Sequence, residues 1–459
     1  MNIKKYILAL FIPAALCSCD KYLDVKPKGK LIPKTLQDFD EMGGHPTLLS
    51  AGNAYAEQMT DDYYMTDDRL VSTITSRTGK SYLWMKDLLR QEDDDSEWNG
   101  PYKNIYTLNL ILQEIEKLPE DAQGDRKRIR GEALLNRAFA YWTLVNLYAK
   151  DYNAATAATD EGVPLSLATD LEAALPRSSV AAVYDLILKD VTAAITLLPS
   201  TSKNVYRVNK IGAYALAARV HLSMKNYKDA YKNASLALAE KSNLLDFNTY
   251  SFKVPAKPFS GINNRPLNID NPENVLYRTS NFSTIVNNSL INPDLLAVLG
   301  EKDLRYVFSY TRLDRLGAPS PEPFPLFLNQ EMNYSIGVPE LMLIKAECAA
   351  RDGNKEEAVQ LLNTLRKKRF RPADYEDLTA ATPEVALTLT IAERRRELVF
   401  KGLRWFDLKR LNQEDRFKKT LQRIYKGETY TLEPGSPRYV LPIAPKILLL
   451  NPNITQNPR

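Results

Sequence analysis

Few side chains in this sequence are placed to make or break bonds. The 459 residues contain only two histidines. His45 falls in a Gly-Gly-His-Pro turn and His221 in an alanine-rich helical stretch, where packing is its ordinary role. There is no nucleophile elbow, phosphate loop, HExxH or CxxC. Carboxylates are abundant, and two acids distant in the chain can pair for glycoside hydrolysis, but nothing here singles out a pair. The expectation is a protein without catalytic residues and without a cofactor. Asp61, Asp62, Asp67 and Asp68 suggest a calcium loop, yet their spacing matches none and no glycine makes the turn such loops need. No metal site is expected there.

Binding chemistry is better supplied. A sugar offers apolar C–H faces and many hydroxyls, so its site needs flat aromatics rimmed by Asn, Asp, Gln or Arg. Two stretches hold these types without a helical period. In 48–95 the candidates are Tyr63, Tyr64, Tyr82 and Trp84, with Asp67, Arg69 and Arg77 as polar partners. In 245–337 they are Phe282, Asn287, Asn288, Tyr310, Arg312, Phe324 and Phe327. Trp98 is assigned to the core, because it opens an amphipathic helix.

The N-terminus carries a different chemistry. Lys4 and Lys5 precede an apolar run, Tyr6 to Leu16, too short to span a bilayer. Leu16-Cys17-Ser18-Cys19 follows. A lipoprotein signal requires a small residue before the lipidated cysteine, which Ser18 supplies for Cys19 and bulky Leu16 denies to Cys17. Removal of 1–18 would leave Cys19 carrying lipid on its sulfur and amine. Only Cys348 of the three cysteines then remains, so no intramolecular disulfide can form. No later run is apolar enough to span a membrane, which suits a protein anchored rather than threaded. The net charge of +5 is small for the length and suggests no affinity for polyanions. The basic run Arg366 to Arg371 ends a helix, where cations suit the dipole, and no nucleic-acid partner is expected.

The elements that must position these groups are helical. Asp20 to Lys34 reads as an extended tether, giving 19–34 as the leader and 35–459 as the folded domain, with a short first helix near Thr35 to Met42. Trp98 to Leu118, Arg126 to Tyr148, a helix capped by Ser178 or Ser179, Asn209 to Met224, Tyr227 to Ala239, Pro339 to Arg351 and Asn354 to Phe370 have helical periods. Ala217, Tyr227, Ala230 and Ala234 resemble the small–large alternation of a tetratricopeptide repeat. Helical pairs therefore occupy about 96–240 and 338–411, and the interruptions 48–95 and 245–337 form an irregular lobe.

The last helical stretch, Ile391 to Leu411 (IAERRRELVFKGLRWFDLKRL), reads as two helices hinged at Gly402. Trp405, Phe406, Leu408 and Leu411 leave the second little solvent face. Helical spacing lets Glu393 and Glu397 meet Arg396, Arg394 and Lys401, and Asp407 meet Arg404 and Arg410. This stretch and the tail Tyr439 to Pro458 (YVLPIAPKILLLNPNITQNP) resemble the C-terminal signature of SusD/RagB-like outer-membrane lipoproteins. Lys401 departs from that pattern, which has an acid there. The resemblance implies a mostly α fold with a tetratricopeptide-like half supporting a loop-rich half. It further implies a lipid-anchored protein of the outer membrane facing the cell exterior. Such a protein captures a glycan or other oligomeric nutrient and passes it to a TonB-dependent, SusC-like barrel, over which it acts as a lid. The competing expectation is a tetratricopeptide-type adaptor that binds protein on its helical face. A hydrolase is the weakest of the three.

Overall fold

The computed structural model describes residues 33–52, 54–121, 124–170, 172–281, 290–326 and 331–459. The signal segment, Cys19 and the candidates Phe282, Asn287, Asn288 and Phe327 lie outside the described residues.

The scaffold is a succession of helices, each packed on the next. Ser96–Ile115 packs on Asp125–Tyr148, which packs on Val180–Leu197. Lys210–Ser223 follows, paired with Tyr227–Glu240. Val338–Arg351 then packs on Tyr227–Glu240 and carries Lys355–Arg366 and Pro383–Glu397. The fold is mostly α, a tetratricopeptide-like scaffold with an irregular lobe.

Local chemistry sets these boundaries. Thr35, Ser179, Asn209, Asn226, Asn354 and Thr382 each accept a backbone N–H of the first turn of the helix they precede. Each such cap contributes about 1 kcal/mol. Asp125–Tyr148 is buried on nearly every side from Gly131 onward. Small residues let it sit so deep. A Cβ on Gly131 would lie 3.0 Å from Leu197 and Leu198 side-chain atoms, so any side chain there would make the two leucines give way. At its C-terminal end, the Lys409 ammonium donates to the carbonyls of Asn146 (2.6 Å) and Ala149 (2.8 Å). Burial pushes the Lys409 amine down to about 8.

The irregular lobe is stitched together by two-stranded antiparallel sheets. Tyr63–Tyr64 pairs with Leu290–Ile291, and Ser50 bridges to Thr279, so the first interruption is bonded to the second. Tyr310–Leu313 pairs with Pro319–Pro325. The sheet Leu421–Tyr425 with Glu428–Leu432 closes the lobe from the C-terminal side.

The hinge is real, and its charges are paired differently from the helical-spacing expectation. Pro383–Glu397 ends before Phe400 (φ 58°) and Gly402 (φ 73°), and Arg404–Leu411 begins anew. Arg396–Glu393 (3.2 Å) and Arg410–Asp407 (2.8 Å) form along the helices. The other expected pairs do not. Arg394 reaches across the hinge to Asp407 (2.8 Å), and Arg404 grips Asp61 of the first interruption at 2.7 and 2.8 Å. Glu397 binds Arg305 and Arg369, each at 2.7 Å. Lys401 makes no ion pair among the described residues. The cause is burial: Arg404–Leu411 lies inside and the first helix turns Glu393 and Arg394 inward, so these charges are met by neighbouring elements rather than along an exposed face. The basic run is absorbed the same way. Arg366 meets Glu393, Lys368 meets Asp246 and Arg369 meets Glu273.

Candidate ligand groove

The structure separates the candidate aromatics into two sets. Trp84, Tyr82 and Tyr63 are core side chains, exposed by 1%, 2% and 1%. The Arg423 guanidinium lies over both the Tyr82 ring (3.7 Å) and the Trp84 ring (4.3 Å), covering them with a cation–π sandwich. The Trp84 indole N–H donates to the Met59 carbonyl (2.9 Å), and the Tyr82 hydroxyl accepts the Met65 N–H (3.0 Å). Tyr63 packs on Phe400, ring centres 4.8 Å apart. No face of these rings is open, which corrects their assignment as sugar platforms.

Two further assignments change for the same reason. Arg77 is an internal tie, donating to Asp95 (2.7 Å) and Glu97 (3.2 Å) while stacking on Tyr55 (4.0 Å). Glu97 is the second carboxylate in that dry pocket, and burial pushes it up to about 8 despite the Arg77 charge. Tyr310 is buried beside Tyr306 and Phe400. Asp61 and Asp62 turn inward to arginines, whereas Asp67 and Asp68 open a separate exposed helix. Among the described residues no group of three His, Cys, Asp or Glu could hold a metal ion. Cys348 is buried, and burial pushes its thiol up to about 12.

The second set meets at the surface. Arg69 and Phe324 come from opposite interruptions, and the Arg69 guanidinium sits 5.2 Å from the Phe324 ring centre. They line an open groove of about 280 Å³ with Phe259, Asp314, Arg315, Leu316 and Pro325. Arg315 lies 5.2 Å over the Phe259 ring, so two half-buried aromatics are each flanked by a guanidinium. The hairpin carrying Arg315 and Leu316 is built to hold its tip. Asp314 accepts the N–H groups of Leu316 and Ala318, both at 2.8 Å, and Gly317 takes φ 90°. Leu316 projects from that tip with 85% of its surface exposed.

Of the remaining candidates, Tyr64 is exposed at the strand that precedes Arg69. Asp67 accepts the Lys426 N–H (3.0 Å). Arg312 is exposed and donates to the Pro321 carbonyl (2.5 Å), bracing the hairpin. Sequence reasoning missed Phe259, Asp314, Arg315 and Leu316. For the last three the available signal was Asp-Arg-Leu-Gly, a turn in which an apolar residue stands where a polar one is usual; Phe259 had none. A larger cavity of about 410 Å³ lies behind the hinge, lined by Phe400 and Lys401.

No described helix is long and apolar enough to cross a membrane. Residues 21–222 match the family model described as starch-binding, associating with outer membrane, and residues 329–459 match that of the SusD family. SusD-like protein P38 of Formosa agariphila is 23% identical over 495 aligned positions, spanning 90% of this chain and 92% of that protein. A SusD superfamily protein from Bacteroides thetaiotaomicron superposes with a TM-score of 0.73 at 21% identity, covering 93% of this chain and 100% of that one. A putative sugar binding protein from Bacteroides vulgatus superposes at 0.70 with 22% identity, covering 94% and 99%.

Proposed function

We propose, since this chain belongs to the SusD family, that it is a cell-surface lipoprotein which binds a glycan and hands it to a SusC-like, TonB-dependent barrel in the outer membrane. Residues 1–18 are its signal peptide, Cys19 its lipid attachment point, 19–34 its tether and 35–459 its binding domain. The lipid keeps the protein beside its transporter and so raises the effective concentration of one for the other.

The single observation carrying the sugar reading is the groove at Phe259 and Phe324. Two aromatic rings lie at the surface beside Arg69, Arg315 and Asp314. Aromatic faces meet sugar C–H surface, and charged rim groups meet hydroxyls. The family model's description as starch-binding supports the same ligand class. Among the described residues the groove holds one carboxylate, Asp314, whose Oδ1 already anchors the turn, so we assign it to binding and not to catalysis.

Protein beginning after Cys19, tested against neutral plant, host and microbial oligosaccharides and peptide mixtures, should bind a glycan and no peptide. Exclusive peptide binding would replace the ligand class. Purification of the lipidated protein from membranes should bring down a β-barrel partner, and its repeated absence would remove the transfer step. Binding lost only through changes on the helical pairs would favour a protein adaptor.

A further inference from the structure

The cavity of about 410 Å³ behind the hinge has an uneven balance of charge. Three carboxylates line it, and each is satisfied by an arginine. Glu397 binds Arg305 and Arg369 at 2.7 Å each. Glu273 accepts from Arg369 (2.8 Å) and from the Leu245 N–H (2.9 Å). Glu340 holds Arg219 through two bonds of 2.8 and 2.6 Å.

The cations on the same wall are not all matched. Arg305 is shared among Asp303, Glu393 and Glu397, and Arg396 is bonded to Glu393 and the Val298 carbonyl. Lys401 and Arg265 remain. Among the described residues Lys401 has neither a carboxylate within 4.0 Å nor a hydrogen bond, although it is only partly exposed. Arg265 opens into the cavity, and among the described residues it donates only to the Phe308 carbonyl, at a long 3.3 Å. Lys253 adds a third cation on an exposed segment.

A half-buried ammonium such as Lys401, near Glu273 and Glu397 but in contact with neither, pays a desolvation cost that a bound oxyanion would offset. The volume is within the ordinary range for ligand sites, roughly 300–1,000 Å³. Asn271 supplies a polar group as well, because its Oδ1 is fixed by the Glu273 N–H and its amide NH2 has no partner among the described residues.

We propose that this cavity is a second ligand site, distinct from the groove, which takes the acid group of a charged sugar between Lys401 and Arg265. A carboxylate (a uronic acid) and a sulfate ester share the necessary chemistry: one compact oxyanion on a ring bearing hydroxyls. Burial pushes the Lys401 amine down, and a bound oxyanion would work against that burial by favouring the charged form.

The test uses galacturonic acid, N-acetylglucosamine 6-sulfate and neutral galactose as probes of the chain beginning after Cys19. Calorimetry and thermal shift are run on the unchanged protein and on Lys401→Met, Arg265→Gln and Phe324→Ala. At least one acid probe should bind about tenfold or more tightly than galactose, and whichever does names the source of the oxyanion. Lys401→Met should leave the melting temperature without ligand within a few degrees and abolish the shift caused by the acid. Arg265→Gln, at an exposed position, should weaken the acid about tenfold while keeping the fold. Phe324→Ala should leave acid binding unchanged, so failure here and failure of the groove reading are separable. Equal binding of acid and neutral probes, binding of none of them, or acid binding indifferent to both cation variants would overturn the proposal.

Discussion

Two neighbouring regions use the same residue types to opposite ends. Around the hinge, arginines and acids form a closed lattice. Glu393 takes Arg305, Arg366 and Arg396, and Asp407 takes Arg394 and Arg410. In the irregular lobe, Arg69 and Arg315 lie over aromatic rings at the surface, and Arg265 faces a cavity that Lys401 of the hinge also lines. The aromatics divide likewise: Trp84 and Tyr82 are sealed beneath Arg423, whereas Phe259 and Phe324 border open space. Residue type therefore decides neither role. What decides is whether the fold supplies a partner that closes the group off.

The division can be broken most severely inside the lattice. Glu393→Gln would remove the one ion pair of Arg366 among the described residues and weaken the anchoring of Arg305 and Arg396, and should cost about 3–5 kcal/mol in urea unfolding. Trp84→Ala empties a sealed site and should cost about 3–5 kcal/mol, with any loss of ligand binding explained by lost fold. Phe324→Ala is the counterpart in the open region. It should leave the melting temperature within a few degrees yet weaken glycan binding by about 1–2 kcal/mol, measured by calorimetry.

The two regions also call for opposite responses to pH. Burial and the nearby Asp62 push Glu57 up to about 8, against an ordinary value of 4.5, with only the Gly402 N–H opposing them. Its folded-state pKa is raised, so the stability it contributes is complete below 4.5 and is lost as pH rises toward 8. Burial pushes Glu393 up as well, but Arg305, Arg366 and Arg396 overcome it and leave that carboxyl at about 2. Its contribution is present above 4.5 and is lost as pH falls toward 2. Urea midpoints should therefore fall from pH 5 to pH 8, and Glu57→Gln should flatten that decline. An unaltered slope in this variant would show that Glu57 does not titrate in the window. The smallest effect is expected at Arg312, an exposed brace whose replacement by alanine should change stability by about 0.5 kcal/mol or less.

The scaffold was legible in the sequence because its determinants are local. Apolar periods of three and four, the caps at Asn209, Asn226 and Asn354, and Gly402 at the hinge all act within a few residues. The groove was not legible, because it depends on contacts between distant parts of the chain. Tyr82 is covered by a residue 341 positions away, and no local pattern announces that. Arg69 and Phe324 were singled out from separate interruptions, and only the pairing of 63–64 with 290–291 and the packing of the latter on 319–325 bring those segments together. Asp61 shows the same limit. An acid in an acidic run suggested calcium, but its partners are Arg395, Arg404 and Lys419, more than 330 positions onward.

The most direct test of a sugar-binding groove is a titration of the mature chain and of Phe259→Ala/Phe324→Ala with the glycan that binds best. Saturable binding should disappear in the double variant while its melting curve stays close to that of the parent. Undiminished binding by a folded double variant would contradict the assignment and place the sugar elsewhere on the protein.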